Sequence, residues 1–196
     1  MTSSRKQATS DKIMNVAIDL MADRGYNGVS TEEIATKAGF SEKTLFRHFK
    51  SKQNLLETAF QRYHYAGRMK DLFDENIKWD LHADLLMISQ TYHRIMYQNR
   101  KMIQISARGH KDLPGFQEAT HKHPQQLKEF LTEYFREMCE KGKVIKTDPK
   151  RQAVAFLYMN YGAAMGRINK DPILEVIPIE TFIEESVSIF TRGLTP

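Results

Sequence analysis

Apolar residues recur at intervals of three and four positions along nearly the whole chain, and no segment keeps the alternation of a half-buried β-strand. The first apolar stripe follows Ser10 and Asp11, which make a good helix start. It runs to Gly25, a residue type that commonly ends helices. The pattern predicts an all-α fold of about nine helices.

Serine residues mark the starts of short helices in the N-terminal part of the chain. Ser30 and Glu33 form a capping box, in which the serine hydroxyl accepts from the Glu33 N–H and the carboxylate reaches back. Ser41 caps the next helix, and Ser51 caps a longer one. Because Gly39 separates the first two of these helices, the segment predicts a helix-turn-helix packed on the first helix.

The helices become longer, and their breaks less regular, from about residue 66 onward. Asp148 and Pro149 predict the start of a strongly apolar helix, since proline at the first helical position loses no hydrogen bond. No linker rich in glycine or serine interrupts the chain. We therefore expect a head at residues 1–65 and a body at residues 66–196, joined by the helix that begins at Ser51.

The helix after Ser41 divides its side chains between a small core and an outward face. A helix-turn-helix places its second helix in the major groove of DNA, where arginine or lysine pairs with guanine and glutamate accepts from cytosine. The N–H groups near Thr31 and Lys52, at the starts of the flanking helices, suit phosphate. The outward residues are Glu42, Lys43, Thr44, Arg47 and His48.

The composition is compatible with a polyanionic partner but does not require one. The 196 residues are 41% hydrophobic and 27% charged, as in a folded globular protein. Twenty-nine Lys and Arg against 24 Asp and Glu leave a net charge of +5. Two alternatives stay open: the cations are an ordinary solvated face, or the helix-turn-helix docks a protein without binding specific DNA. The convergence of cations, hydroxyls and helix N-termini on one surface favours DNA.

Signatures of other functional classes are missing from the sequence. The single cysteine, Cys139, can form no intrachain disulfide, and there is no glycine-rich phosphate loop or nucleophile elbow, so we expect neither an enzyme nor a cofactor. His110, His121 and His123 lack a completing ligand pattern, so we expect no metal site. No apolar signal begins the chain, and no apolar run reaches the roughly 20 residues that span a bilayer. We expect a cytoplasmic protein without a membrane partner.

The segment from Val29 to Leu56 resembles the N-terminal domain of the TetR/AcrR family of bacterial transcriptional regulators. It reads VSTEEIATKAGFSEKTLFRHFKSKQNLL, with IA..AG, S..TL, HF and SK in fixed register. The resemblance implies a homodimer that binds a near-palindromic double-stranded DNA operator, most often as a repressor, and that is released by a small molecule held in the C-terminal body. The residues do not reveal the effector, the operator sequence or the regulated genes, and they leave activation open as the alternative to repression.

The resemblance also implies roles for individual residues of the head. Thr31, Thr44, His48 and Lys52 match phosphate-contacting positions, whereas Lys43 and Arg47 lie where base contact is expected. The chain departs from the family pattern at two places. Phe46 stands where tyrosine is frequent, so a hydroxyl contact to phosphate is lost while ring packing on the backbone remains available. The pair Glu42 and Lys43 replaces smaller residues, which we expect to alter the operator sequence.

Two sets of body residues are candidates for dimerisation and for effector binding. Small residues among large ones let helices approach closely, and a four-helix interface across a two-fold axis would use the same patch on both chains. The alternative is that these helices are ordinary core. The interface candidates are Ala155, Gly162, Ala163, Gly166, Phe182, Ile183, Val187 and Phe190. Methionine and aromatic side chains suit an apolar small-molecule pocket, although most will be core. The pocket candidates are Trp79, Met87, Tyr92, Met96, Met102, Phe116, Phe135, Met138, Tyr158 and Met165.

Overall fold

The computed structural model describes the backbone of residues 2–63, 76–107 and 116–196, and the side chains of residues 4–62, 76–107 and 124–196. Every regular element in these ranges is a helix, which confirms the predicted all-α fold. In chain order the helices are α1 (Thr2–Arg24), α2 (Thr31–Ala38), α3 (Glu42–Phe49), α4 (Lys52–Tyr63), α5 (Leu81–Gln98), α6 (Arg100–Ala107), α7 (Phe116–Glu140), α8 (Pro149–Asn169), α9 (Pro172–Glu175) and α10 (Ile179–Leu194).

The capping residues expected from the sequence make their hydrogen bonds at the starts of α2, α3 and α8. Ser30 Oγ accepts from the Glu33 N–H at 3.1 Å. Asp148 Oδ1 accepts from the N–H groups of Lys150 and Arg151 at 3.0 and 3.2 Å. These bonds join residues two or three positions apart, so a short stretch of sequence contains all that they need.

Helix α1 starts earlier than the sequence predicts, at Thr2 instead of near Ser10. Asp11 is not a cap: its carboxylate accepts from Gln7 Nε2 at 2.9 Å and pairs with Arg62 of α4. Thr9 Oγ1 donates to the Arg5 carbonyl oxygen one turn earlier, as a hydroxyl inside a helix can. The residues that look like a helix start therefore lie inside a longer helix.

The chain forms two compact units, and α6 falls in the first of them with α1 to α4. Helix α1 packs against α2, α4 and α6, and α3 packs against α2 and α4. Met102 and Ile105 of α6 are buried, and Lys101 Nζ lies 2.6 Å from the Asp19 carboxylate of α1. The core of this unit includes Ile13, Met14, Met21, Ile34, Leu45, Phe49, Leu55 and Leu56.

The second unit contains α5, α8, α9, α10 and α7 from Ala119 onward. Its core is one cluster in which Leu85 and Ile88 of α5, Phe135 of α7, Phe156 of α8 and Val187 of α10 are almost completely buried. Aromatic rings meet within it: the centroids of Phe156 and Phe190 lie 5.2 Å apart in an edge-to-face arrangement.

A short helix, α9, lies between α8 and α10. Asp171 Oδ1 caps it by accepting from the Ile173 N–H at 2.9 Å, and Pro172 fills the first helical position. A Cβ at Gly166 of α8 would collide with the Leu174 side chain, so the glycine lets the two helices approach. Gly166 thus has a role within the chain.

Several sequence predictions fall outside the described residues. The predicted domain boundary between residues 65 and 66 is one of them, so the division into 1–65 and 66–196 stays a prediction. His110 and the side chains of Phe116, His121 and His123 are also outside. Among the described helices, none is long and apolar enough to cross a membrane.

Candidate functional site

A glycine turn holds α2 and α3 together in the first unit. Gly39 has φ 77° and ψ 30°, a left-handed conformation that side-chain-bearing residues adopt only at a cost. Its N–H donates to the Thr36 carbonyl at 3.0 Å, and the Phe40 N–H donates to the Ala35 carbonyl at 2.9 Å. The turn ends α2 and aims α3 outward as the second helix of a helix-turn-helix.

The recognition face of α3 is formed by side chains that the fold leaves in solvent. Leu45 and Phe49 are 0% and 2% exposed, whereas Lys43 and Arg47 are exposed and make no ion pair within the described part of the chain. Like charges four residues apart do not stabilise a helix. Both cations therefore face solvent, and Phe46, 42% exposed, lies between them in sequence.

Thr44 and His48 are half-buried at the edges of this face. The Thr44 hydroxyl lies 3.0 Å from Ser41 Oγ, with either oxygen able to donate. Burial lowers the pKa of His48 below its usual value near 6.5, and the neighbouring charges of Arg47 and Lys6 lower it further. His48 is consequently neutral at pH 7, and it can offer phosphate a hydrogen bond but no charge.

A hydrogen bond links the first residues of α2 and α3. Thr31 Oγ1 donates to Glu42 Oε1 at 2.6 Å. The bond engages both side chains within the head and fixes the two helix starts relative to each other. The N–H groups of Thr31 and Glu32, which precede the first intrahelical bond of α2, are the groups at this end that suit an anion.

Lys52, at the start of α4, is held against the loop before α2. Its Nζ donates to the Val29 carbonyl oxygen at 2.6 Å and lies 4.2 Å from the centroid of the Tyr26 ring. Burial lowers the pKa of this ammonium group. Asn54 connects α4 to α3, since its Nδ2 donates to the Phe49 carbonyl at 2.7 Å. We call the Lys52 contacts to Val29 and Tyr26 the lysine clamp.

The eight predicted DNA-binding residues all lie in the first unit, and, apart from the half-buried Thr44 and His48, the structure divides them into two groups. Lys43, Phe46 and Arg47 project from α3, whereas Thr31, Glu42 and Lys52 make contacts inside the head. The sequence reasoning missed Tyr26 and Asn54 as partners. Tyr26 follows directly after Gly25, and its aromatic character was the available signal.

Comparison with known proteins decides the family. The family model described as "Bacterial regulatory proteins, tetR family" matches residues 13–59, which contain α2 and α3. The "Uncharacterized HTH-type transcriptional regulator YvkB" of Bacillus subtilis (strain 168) is 30% identical over 187 residues, covering 95% of this chain and 97% of the relative. The chain belongs to the TetR family. It is accordingly a helix-turn-helix transcriptional regulator that binds DNA, and not an enzyme.

Solved structures share the fold of this TetR-family chain along nearly its whole length. NalD, titled the secondary repressor of the MexAB-OprM multidrug efflux pump in Pseudomonas aeruginosa, has a TM-score of 0.77 at 19% identity, covering 98% of both chains. A structure titled "SmeT-Triclosan complex" has a TM-score of 0.72 at 16% identity, covering 96% of this chain and 92% of the other. At these identities the likeness establishes the fold alone.

The predicted effector-pocket residues lie in different environments, most of them in the second unit. Tyr92, Phe135 and Met138 are buried in its core, and Trp79, Met87 and Met96 pack against that core. The Trp79 ring stacks on Tyr134 with centroids 5.9 Å apart. Tyr158 is 65% exposed, Met165 is half-buried, Met102 belongs to the first unit, and the Phe116 side chain lies outside the described residues.

The predicted interface residues also separate by burial. Ala163, Ile183 and Val187 are core residues, Gly166, Phe182 and Phe190 are half-buried, and Ala155 and Gly162 are exposed. The structure exposes a different apolar set, which we call the C-terminal apolar surface. Its members are Tyr158, Tyr161, Ile173, Val176, Ile177 and Ile189.

Proposed function

We propose that this protein is a homodimeric repressor that binds a palindromic operator through α3 and is released by a small, largely apolar effector in the body. The observation that supports operator binding most directly is the pair of exposed cations on α3, Lys43 and Arg47, which form no ion pair with any residue that the structure describes. In the dimer, two copies of α3 would enter successive major grooves about 34–36 Å apart.

Within this proposal the side chains of the head take distinct roles. Lys43 and Arg47 read guanine, each good contact contributing about 1–3 kcal/mol of base discrimination. Thr44, His48 and the N–H groups at the start of α2 bind phosphate, and the Phe46 ring packs on the sugar-phosphate chain. Glu42 and Lys52, which make contacts inside the head, set the position of α3 and bind DNA only secondarily.

The C-terminal apolar surface supports dimerisation. Tyr158 is 65% exposed, Ile173 79%, Val176 77% and Ile189 68%, and exposed apolar side chains that form a contiguous patch mark interaction surfaces. A two-fold axis would place the same patch on both chains, which closes the assembly as a dimer. We propose these exposed residues as the centre of the contact, with Ala155 and Gly162 allowing close approach.

For an effector to release the operator, it must bind two conformations of the body with different affinities. A coupling of about 1–3 kcal/mol between effector and operator would lower operator affinity about 5–150-fold. The TetR-family neighbour SmeT has been solved in complex with triclosan, which supports a small-molecule ligand for this chain as well. The body contains Met87, Met96 and Met138, whose flexible side chains adapt to varied apolar ligands.

Binding of the protein to DNA carrying the inverted repeats found near its own gene tests the proposal. Fluorescence anisotropy at several salt concentrations should show salt-sensitive binding even to unrelated duplex, with tighter binding to one site. Arg47→Ala should weaken the specific site about 5–150-fold, equivalent to about 1–3 kcal/mol, and relax the preference at one base pair.

Arg136→Ala is the matched control, because it removes an exposed arginine from α7 in the other unit. It should leave specific binding unchanged. If the wild-type protein shows no salt-sensitive affinity for any duplex, the helix-turn-helix docks a protein and the operator proposal is wrong. Equal losses in both variants would show that net charge alone, and not the face of α3, determines binding.

A further inference from the structure

Two polar side chains on one face of α5 are buried in the second unit without hydrogen-bond partners. Ser89 is 1% exposed and His93 is 3% exposed, and they lie one helical turn apart. In the described part of the chain, Ser89 Oγ and both ring nitrogens of His93 lack any partner in hydrogen-bonding geometry. Each buried polar group left unsatisfied costs about 1–3 kcal/mol, and native proteins contain few of them.

The groups around His93 explain why its ring stays unsatisfied. Asn160 of α8 lies near enough to favour the protonated ring, but its Nδ2 donates to the Phe156 carbonyl of its own helix at 2.9 Å. Arg167 of α8 stacks over the Tyr97 ring, 4.3 Å from the centroid. Neither ring nitrogen reaches hydrogen-bonding geometry with these neighbours, so they do not saturate the imidazole.

His93 is neutral under physiological conditions. Burial is the main cause that lowers its pKa to about 4, and Arg167 lowers it further, while Asn160 and Glu180 of α10 oppose the shift. A neutral imidazole has one donor and one acceptor, and the Ser89 hydroxyl can act as either. Together they match a group that both donates and accepts one hydrogen bond.

We infer that Ser89 and His93 bind the polar end of the effector, and that this end is an uncharged hydroxyl, such as a phenol, on an apolar molecule. The inference rests on the proposed effector role of the body. A hydroxyl can donate to one of the two side chains and accept from the other.

A charged group fits the site less well. A carboxylate or ammonium group would lose its hydration without gaining a full counter-charge, because both side chains are neutral. Arg167 and Glu180 have opposite signs, so they supply no net charge. An apolar molecule without a polar end would leave Ser89 and His93 unsatisfied. The site therefore selects by hydrogen bonding.

The test compares ligands that differ only at the polar end. We would titrate the full-length protein with 4-butylphenol, with its methyl ether 4-butylanisole, and with 4-butylbenzoate, using isothermal titration calorimetry in the absence of DNA. The phenol should bind at least about tenfold more tightly than the ether and the benzoate, the loss expected when polar groups remain unpaired. Equal affinity for phenol and ether, or preference for the benzoate, would overturn the inference.

Matched variants assign any discrimination to the two side chains. In Ser89→Ala and in His93→Phe the preference for phenol over ether should fall to within about twofold, because the hydrogen-bonding partner is gone. His82→Phe changes an exposed histidine of the same helix and should keep the wild-type preference. Unchanged discrimination in both core variants would also contradict the inference. Ser89→Ala is the smaller change, and it decides the matter if His93→Phe does not fold.

Failure of this inference and failure of the proposed function give different results. Calorimetry reads the body without DNA, so a protein that binds no operator still reports its ligand preference. If operator binding is normal and another apolar compound releases it, while the phenol binds no better than the ether, only the assignment of Ser89 and His93 is wrong.

Discussion

Replacing Lys52 with methionine tests whether the lysine clamp acts by holding the head together. The substitution keeps most of the aliphatic stem but removes the ammonium group that donates to the Val29 carbonyl at 2.6 Å and lies over the Tyr26 ring. The resemblance to the TetR family assigns Lys52 to phosphate, whereas its contacts in the structure are internal. The two roles predict different losses.

The expected cost follows from the two contacts that disappear. A hydrogen bond from a charged donor contributes about 1.5–3 kcal/mol. A cation over an aromatic face contributes about 0.5–1 kcal/mol at exposed sites. Because Lys52 is half-buried, we take the lower ends of both ranges and expect a loss of about 2 kcal/mol from the stability of the head. That is a large share of the roughly 5–15 kcal/mol that stabilises a typical domain.

Hydrogen exchange is the suitable assay, because the chain forms two compact units and need not unfold as one. Amides of α2 to α4 should exchange about 30-fold faster in Lys52→Met, the equivalent of about 2 kcal/mol. Fluorescence of the single tryptophan, Trp79, reports on the second unit and should show an unchanged urea midpoint. Lys37→Met, at an exposed lysine of α2, is the control and should exchange like the wild type.

The salt dependence of DNA binding separates the clamp from a phosphate contact. If Lys52 acts only inside the head, the slope of log Kobs against log salt stays unchanged in Lys52→Met. A lost phosphate contact would make it shallower by about 1. Wild-type exchange rates together with a shallower slope would refute the clamp and restore the phosphate role.

Three further changes test the turn, the dimer surface and the buried histidine. Gly39→Ala should lower the stability of the head by about 1–2 kcal/mol in urea denaturation. The loss comes from the backbone φ of 77°, since an added Cβ would make no steric clash; an unchanged midpoint would contradict this backbone strain. Ile189→Asp, at 68% exposure, should convert a dimer to a monomer in sedimentation without lowering the melting temperature of the isolated chain, whereas a persistent dimer would exclude this surface. The pKa of His93 is about 4 when folded and near 6.5 when unfolded, so the unfolded state binds the extra proton between these values. Wild-type stability should thus fall as pH drops from 6.5 to 4, by up to about 1.4 kcal/mol per pH unit, and His93→Phe should show a flatter profile.

Much of the head could be predicted because its signals are local. The bonds of Ser30 and Asp148 involve N–H groups two or three residues away, and the burial of Leu45 and Phe49 follows from helical spacing. The start of α1 could not be predicted in the same way. Asp11 looks like a cap in sequence, but inside the longer helix its carboxylate pairs with Arg62, which lies 51 residues away.

The contacts made by the functional side chains were less predictable than their positions. Sequence spacing places Lys43 and Arg47 on the outer face of α3, but it contains no information about the bond from Thr31 to Glu42 or the clamp on Val29. In α8 the difficulty is different: apolar residues cover most of its circumference. The spacing of apolar residues in α8 therefore could not predict that Tyr158 faces solvent.

The internal contacts of the head bear on how the proposed effector would act on the proposed DNA-binding face. The start of α4 is tied to the loop before α2 through Lys52, and Asn54 Nδ2 ties α4 to the last turn of α3. The bond from Thr31 to Glu42 ties the starts of α2 and α3 together. A tilt of α4 thus cannot leave α3 behind without breaking bonds, so it moves the recognition face as one piece. In the proposed dimer, the internal contacts of Lys52 and Asn54 would then help to determine how well the two recognition faces match the spacing of the operator.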